Sequence, residues 1–279
     1  MKWHKLMFVL PNAFTVSSIF CGFYAIVQCS TGTPTAQQMY GAALAIFFAI
    51  FFDGFDGRVA RLTKTQSDFG VELDSLADVI SFGVAPAILA YKWALAPLGF
   101  AGLFICFSFA TCGALRLARF NVMAQRKVPG SSKFFIGLPI PLAAGVFISL
   151  VIAYHHAGMS VTPQAQVPIA ALVAVLAGLM VSTVRYRTFK DVRLSKKSAT
   201  IFLAVVLAGV AVATQMRPSF VLVAYFSAYL LLGLAEQVLF FKKRRAEAKA
   251  AQTPPPGGPD AGADGGGEED DEEEGEEYI

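Results

Sequence analysis

The chain has 279 residues, 55% of them hydrophobic and only 15% charged, with a mean hydropathy of +0.56. That leaves too little polar surface to cover a water-soluble core, and no internal repeat, P-loop or dinucleotide fingerprint points to a soluble nucleotide-binding class. The formal charge of +3 conceals two opposed parts, because 11 of the 20 acidic residues follow Gln252 in a tail without Lys or Arg, and the rest of the chain is basic.

Apolar runs long enough for a hydrocarbon core of about 30 Å predict helices near residues 10–29, 38–58, 73–94, 98–118, 137–155, 166–184, 198–215 and 218–240. The expected fold is therefore an all-α integral membrane protein with about eight transmembrane helices. The first run is expected to be a retained span, since Pro11-Asn12 interrupts its start and no small-residue cleavage site follows. Lys and Arg gather at the N-terminus, after the second, fourth and sixth runs, and beyond the eighth. Of the 23, only Lys92 and Arg217 fall on the other side. Cytoplasmic loops carry such an excess, which predicts a multi-pass protein with both termini in the cytoplasm. Cys21, Cys29, Cys106 and Cys112 lie in or at the ends of runs without metal-ligand spacing and read as apolar fillers. His155-His156 falls on the outer side and reads as loop. The tail of Pro, Gly and acid cannot bury enough apolar area to offset chain entropy, so disorder is expected there.

Acidic residues are not scattered. Asp53, Asp56, Asp68, Glu72, Asp74 and Asp78 crowd into the stretch joining the second and third runs. On a helix Asp53 and Asp56 lie about 60° apart, and Asp74 and Asp78 about 40° apart, so each pair shares a face. An antiparallel hairpin through the loop RLTKTQSDFG would bring both pairs together at the cytoplasmic end. Four desolvated carboxylates repel one another unless divalent cations with all-oxygen coordination join them. Gly57, Ala60 and Gly70, with almost no side chain, flank the acids, and Arg58, Arg61 and Lys64 lie close by. Small residues also serve close helix packing; beside cations they make room for a phosphorylated ligand that arginine can clamp. The residues describe a phosphoryl-transfer site at the lipid boundary.

The spacing Asp53-x2-Asp56-Gly57-x2-Ala60-Arg61-x8-Gly70-x3-Asp74-x3-Asp78 resembles the full signature of the CDP-alcohol phosphatidyltransferase family. The resemblance implies a six-helix catalytic core, residues 1–197, extended by two C-terminal transmembrane helices, 198–241, and by a basic juxtamembrane segment with the acidic tail, 242–279. It implies an active site open to the cytoplasm and to lipid. Asp53, Asp56, Asp74 and Asp78 would hold two divalent metal ions, Mg2+ or Mn2+. Asp78 would also be the catalytic general base. Gly57, Arg61 and a loop hydroxyl, best matched by Ser67, would contact the cytidine diphosphate moiety, with Ala60 and Gly70 leaving space for it. Many members of the family are homodimers, so a homodimer is expected, and no nucleic acid partner is.

The first run opens LPNAFTVSSIFCGFYAI, placing Asn12 and Thr15 three apart on one face. Helix entry after a proline accounts for such residues; the similarity to the family's opening favours substrate contact. In GALRLARFNVMAQ, Arg116 and Arg119 stand one turn apart. They either mark the membrane surface by snorkelling or hold a carboxylate or lipid phosphate. With FFIGLPIPLAAG and LMVSTVRYRTFKDV these stretches resemble the phosphatidylserine synthase branch, although Arg187 stands where that branch often has proline. The implied reaction joins CDP-diacylglycerol and L-serine to give phosphatidylserine and CMP. Phosphatidylcholine synthase is the alternative, and would offer aromatic faces to a quaternary ammonium. An ion-coupled transporter, from another class, would carry its acids near the midplane in paired halves, whereas these cluster at one membrane face.

Overall fold

The computed structural model describes residues 2–63, 65, 67–125, 134–182 and 185–187. Helix α1 (Lys2–Ser30) folds back on α2 (Ala36–Thr63) through a short turn. Thr35 and Gln38 cap the start of α2 reciprocally: the Gln38 amide donates to Thr35 Oγ1 at 3.2 Å and the Thr35 amide to Gln38 Oε1 at 2.8 Å. This capping box satisfies two amides that no helical carbonyl can reach.

The third rod runs from Asp68 to Leu98. It opens as α3 (Asp68–Asp78) and widens to a π-helical turn over Val79–Val84. After α4 (Ala85–Ala90) it widens again over Tyr91–Leu95, then tightens to a 3-10 turn, Ala96–Leu98. Gly99, at φ +58°, reverses the chain into α5 (Phe100–Gln125). Strand β1 (Phe134–Ile136), α6 (Ile140–His156), α7 (Pro163–Val181) and strand β2 (Arg185–Arg187) follow. The strands pair antiparallel with Phe134 opposite Arg187.

The expectation of about eight transmembrane helices is corrected. The described residues hold six helical rods, α3 and α4 sharing the one from Asp68 to Leu98; five are long and apolar enough to cross a membrane, and the sixth, Ile140–His156, has 17 residues. The run expected as a helix from 137 begins only at Ile140, because Gly137 adopts φ +79° and Pro139 is extended at ψ 135°. A side chain at Gly137 would place its Cβ 2.1 Å from the Met180 carbonyl oxygen, and the Leu138 amide donates to Leu179 O at 3.0 Å. The chain therefore docks on the end of α7 before α6 starts. The apolar runs at 198–215 and 218–240, and the acidic tail, lie outside the described residues.

Packing relies on small residues where rods cross. Ala42, Ala43, Ala45 and Ala49 are buried on α2. A Cβ on Gly22 would come within 2.7 Å of Ser81 Cα, so α1 touches the π turn backbone to backbone. Without a hydrophobic drive between helices in lipid, such close approach and polar contacts between helices hold them together. Here Ser81 Oγ donates to Ser18 O at 2.9 Å, with the two hydroxyls 3.4 Å apart. Phe20, Phe23, Phe48, Phe104 and Phe107 remain exposed, as faces turned to lipid require. At the end of the bundle away from the acids, Tyr40 stacks on His155 with ring centroids 4.2 Å apart and Trp93 meets Tyr154 edge-on at 5.2 Å. That is the ring chemistry of a membrane–water interface.

Candidate active site

Helix α2 carries Asp53, Asp56, Gly57, Ala60 and Arg61 on its last three turns. Helix α3 brings Gly70, Asp74 and Asp78, and α1 contributes Asn12 and Thr15. One ligand oxygen from each of Asp53, Asp56 and Asp74 lies within 4.8 Å of the other two, a spacing that could hold a divalent cation. Asp78 lies against Asp53 and Asp74, and Arg116 of α5 is the cation that faces it. The pairs seen as sharing helix faces therefore do converge.

Each acid has a distinct setting. Asp56 is 6% exposed; Thr15 Oγ1 donates to its Oδ2 at 2.9 Å, and the Gly57 amide donates to its Oδ1. One Oδ1 oxygen of Asp74 and one of Asp78 are buried without a hydrogen-bond partner. A buried carboxylate oxygen left unpaired is costly, and all-oxygen, acid-rich surroundings suit Mg2+ or Mn2+. The donor set thus fits a divalent cation. The turn after Asp78 is π-helical, a local widening found often at functional sites.

Beside the acids runs a groove lined by Asn12, Thr15, Asp56, Gly57, Ala60, Arg61, Ser67, Gly70 and Asp74, with Thr65 and Val71. All seven groups expected to contact a ligand along α1, α2 and the start of α3 meet there. A Cβ at Gly57 would find nothing within 4 Å, so any side chain would project into open space; one at Gly70 would press on Ser67 Oγ at 3.2 Å. Ser67 also caps α3, accepting from the Gly70 amide at 3.1 Å. Arg116 is 6% exposed with its Nε unpartnered. Arg119 instead reaches the end of α7, donating through Nη1 to Val181 O at 3.1 Å and through Nη2 to Ser182 O at 3.3 Å. Asn121 Nδ2 donates to Ser75 Oγ at 2.9 Å, tying α5 to the helix that bears Asp74.

A sequence profile of the family described as CDP-alcohol phosphatidyltransferase matches residues 8–184, the segment that builds every element of this site. The chain belongs to the CDP-alcohol phosphatidyltransferase family. Among its relatives is the CDP-diacylglycerol–serine O-phosphatidyltransferase of Helicobacter pylori, 37% identical over 231 residues, which cover 82% of this chain and 90% of the relative. The Bacillus subtilis protein of the same name is 36% identical over 181 residues, covering 65% of this chain and 91% of the relative. That of Saccharomyces cerevisiae is 42% identical over 150 residues, about half of each chain (50% and 52%). Within the family, then, the chain falls in the membrane-embedded phosphatidylserine synthase branch. It is a multi-pass enzyme of a family that transfers phosphatidyl groups.

Two features escaped the sequence reading. Thr15 touches a carboxylate as well as lining the groove, which spacing alone cannot reveal. Thr65, buried and groove-lining, carries no signal in a loop of mixed polar residues; its burial appears only once the loop is folded.

Proposed function

We propose that the enzyme transfers the phosphatidyl group of CDP-diacylglycerol to the hydroxyl of L-serine, giving phosphatidylserine and CMP. The reading rests above all on Arg116, a buried guanidinium with a free Nε beside Asp78. A cation next to the proposed base suits an acceptor that carries a carboxylate three bonds from its attacking hydroxyl oxygen. Choline, a cation itself, would be repelled there.

Asp53, Asp56, Asp74 and Asp78 would hold two divalent cations, Mg2+ or Mn2+. Bound there, the cations supply charge neutralisation at the pyrophosphate and stabilise departing CMP. Arg61 clamps phosphate oxygens, and Asn12, Gly57, Ala60, Ser67 and Gly70 shape the nucleotide's path. Arg116 orients serine so that its hydroxyl reaches the phosphorus from the side opposite CMP. Asp78 accepts the hydroxyl proton as the new P–O bond forms and the bond to CMP breaks. The route is direct, in one displacement. The distribution of Lys and Arg supports a cytoplasmic site with both termini on that side.

The test is a panel of acceptors supplied to purified enzyme with CDP-diacylglycerol and Mg2+ or Mn2+. Serine should yield labelled phosphatidylserine and a chelator should abolish it. Product with choline, glycerol phosphate or inositol phosphate, and none with serine, would overturn the assignment.

A further inference from the structure

Thr65 sits two residues past the end of α2, 5% exposed, with its amide donating to Ala60 O at 3.0 Å. Its hydroxyl oxygen lies 2.6 Å from Thr63 Oγ1, and Thr63 Oγ1 in turn lies 2.8 Å from the Val59 carbonyl oxygen. A carbonyl only accepts, so the contact with Val59 takes the single proton of the Thr63 hydroxyl. Two hydroxyl oxygens at 2.6 Å also need a proton between them, and Thr63 has none left. Thr65 must therefore donate to Thr63. The relay has one direction, Thr65 to Thr63 to Val59, and it leaves the Thr65 hydroxyl, on a residue that lines the groove, with only lone pairs for any further partner.

That polarity sorts ligands. Phosphate oxygens accept hydrogen bonds, so they are mismatched to Thr65 and belong with Arg61, which lines the same groove. An N–H or O–H donor is matched. On a cytidine diphosphate the donors are confined to the nucleoside: the amine of the base and the hydroxyls of the ribose. We infer that Thr65 is a specificity-determining residue that accepts a hydrogen bond from the nucleoside of the bound substrate. The inference rests on the reading that a cytidine nucleotide occupies the groove. It fixes which end of that nucleotide lies towards the α2–α3 connection.

The experiment measures competitive inhibition of the full-length enzyme by CMP, by 2′,3′-dideoxy-CMP, which lacks the ribose donors, and by UMP, whose base replaces the amine with an acceptor. On the unmodified enzyme one analogue should bind about tenfold more weakly than CMP, the scale of a buried hydrogen bond lost with its partner left unpaired. Thr65→Val should weaken CMP by a similar factor yet leave that analogue unchanged, bringing their ratio close to one, while Thr65→Ser keeps the ratio. The analogue whose penalty vanishes identifies ribose or base as the donor. A loose structural role would weaken all three ligands together, and that result overturns the inference. So does equal affinity for all three on the unmodified enzyme, which needs no variant to fold. Failure of CMP to compete at all would instead strike at the nucleotide reading itself.

Discussion

Replacing Thr15 with valine conserves volume and deletes one hydroxyl, the group that donates to Asp56 Oδ2 at 2.9 Å. Both residues are buried, at 3% and 6% exposure, so water cannot substitute. A hydrogen bond to a charged group contributes about 1.5–3 kcal/mol, which corresponds to about 10- to 150-fold in an equilibrium constant. An independent route gives the same range: loss of a partner that orients a metal ligand lowers metal affinity about 10- to 100-fold. Thr15→Val should therefore raise the half-saturating Mg2+ or Mn2+ concentration by one to two orders of magnitude, with activity recovering at high metal. Thr15→Ser should behave nearly as the unmodified enzyme. The assay is a metal titration of phosphatidyl transfer, accompanied by metal-dependent thermal stabilisation, which needs no turnover. A Thr15→Val enzyme whose metal requirement stays within about twofold of the original would refute the claim that this bond sets the carboxylate.

Two further outcomes follow from the packing. Gly22→Ala should lower thermal stability in detergent by about 1–3 kcal/mol, because its Cβ would meet the Ser81 Cα at 2.7 Å, a backbone atom that no rotamer change can move aside. Gly41→Ala, with nothing within 4 Å, is the control, and equal melting of the two variants would contradict the close approach. Arg119→Ala should lower stability and weaken both substrates alike, since its guanidinium ties α5 to Val181 and Ser182. Arg116→Ala should raise the serine requirement alone, by about tenfold or more for a lost charged hydrogen bond. Indistinguishable kinetics for the two variants would undo that division of labour.

Much of the site was legible because helical spacing is rigid. Asp56 follows Asp53 at the third position and Asp78 follows Asp74 at the fourth, so each pair of acids faces one way whatever the rest of the chain does. The groove-lining glycines and Arg61 ride on the same helices and were equally readable. Tertiary partners were not. Arg116 and Arg119 look equivalent on a helical wheel, yet one ends beside Asp78 and the other on the carbonyls of α7, a choice made by where α7 stops. Ser67 matched a ligand position and also caps α3. Hydropathy found the apolar runs but started the fifth one too early, at 137, because it is blind to a positive φ at Gly137 and to the short ribbon that delays α6. The π turns leave no compositional trace in VISFGV, since the side chains there are ordinary helix core.

Helix α2 changes from polar to greasy within a single step: Asp56 is sequestered on the site face while its neighbour Phe55 is 38% exposed and Phe51, one turn earlier, 53%. Phe14 of α1 stacks against Phe55 with centroids 6.3 Å apart, extending the oily flank. An amphiphile served at such an edge never has to lift its tails out of the bilayer. If the proposed chemistry holds, the two products part company by separate exits, the new lipid drifting sideways and the spent nucleotide diffusing into water, so that neither has to wait for the other.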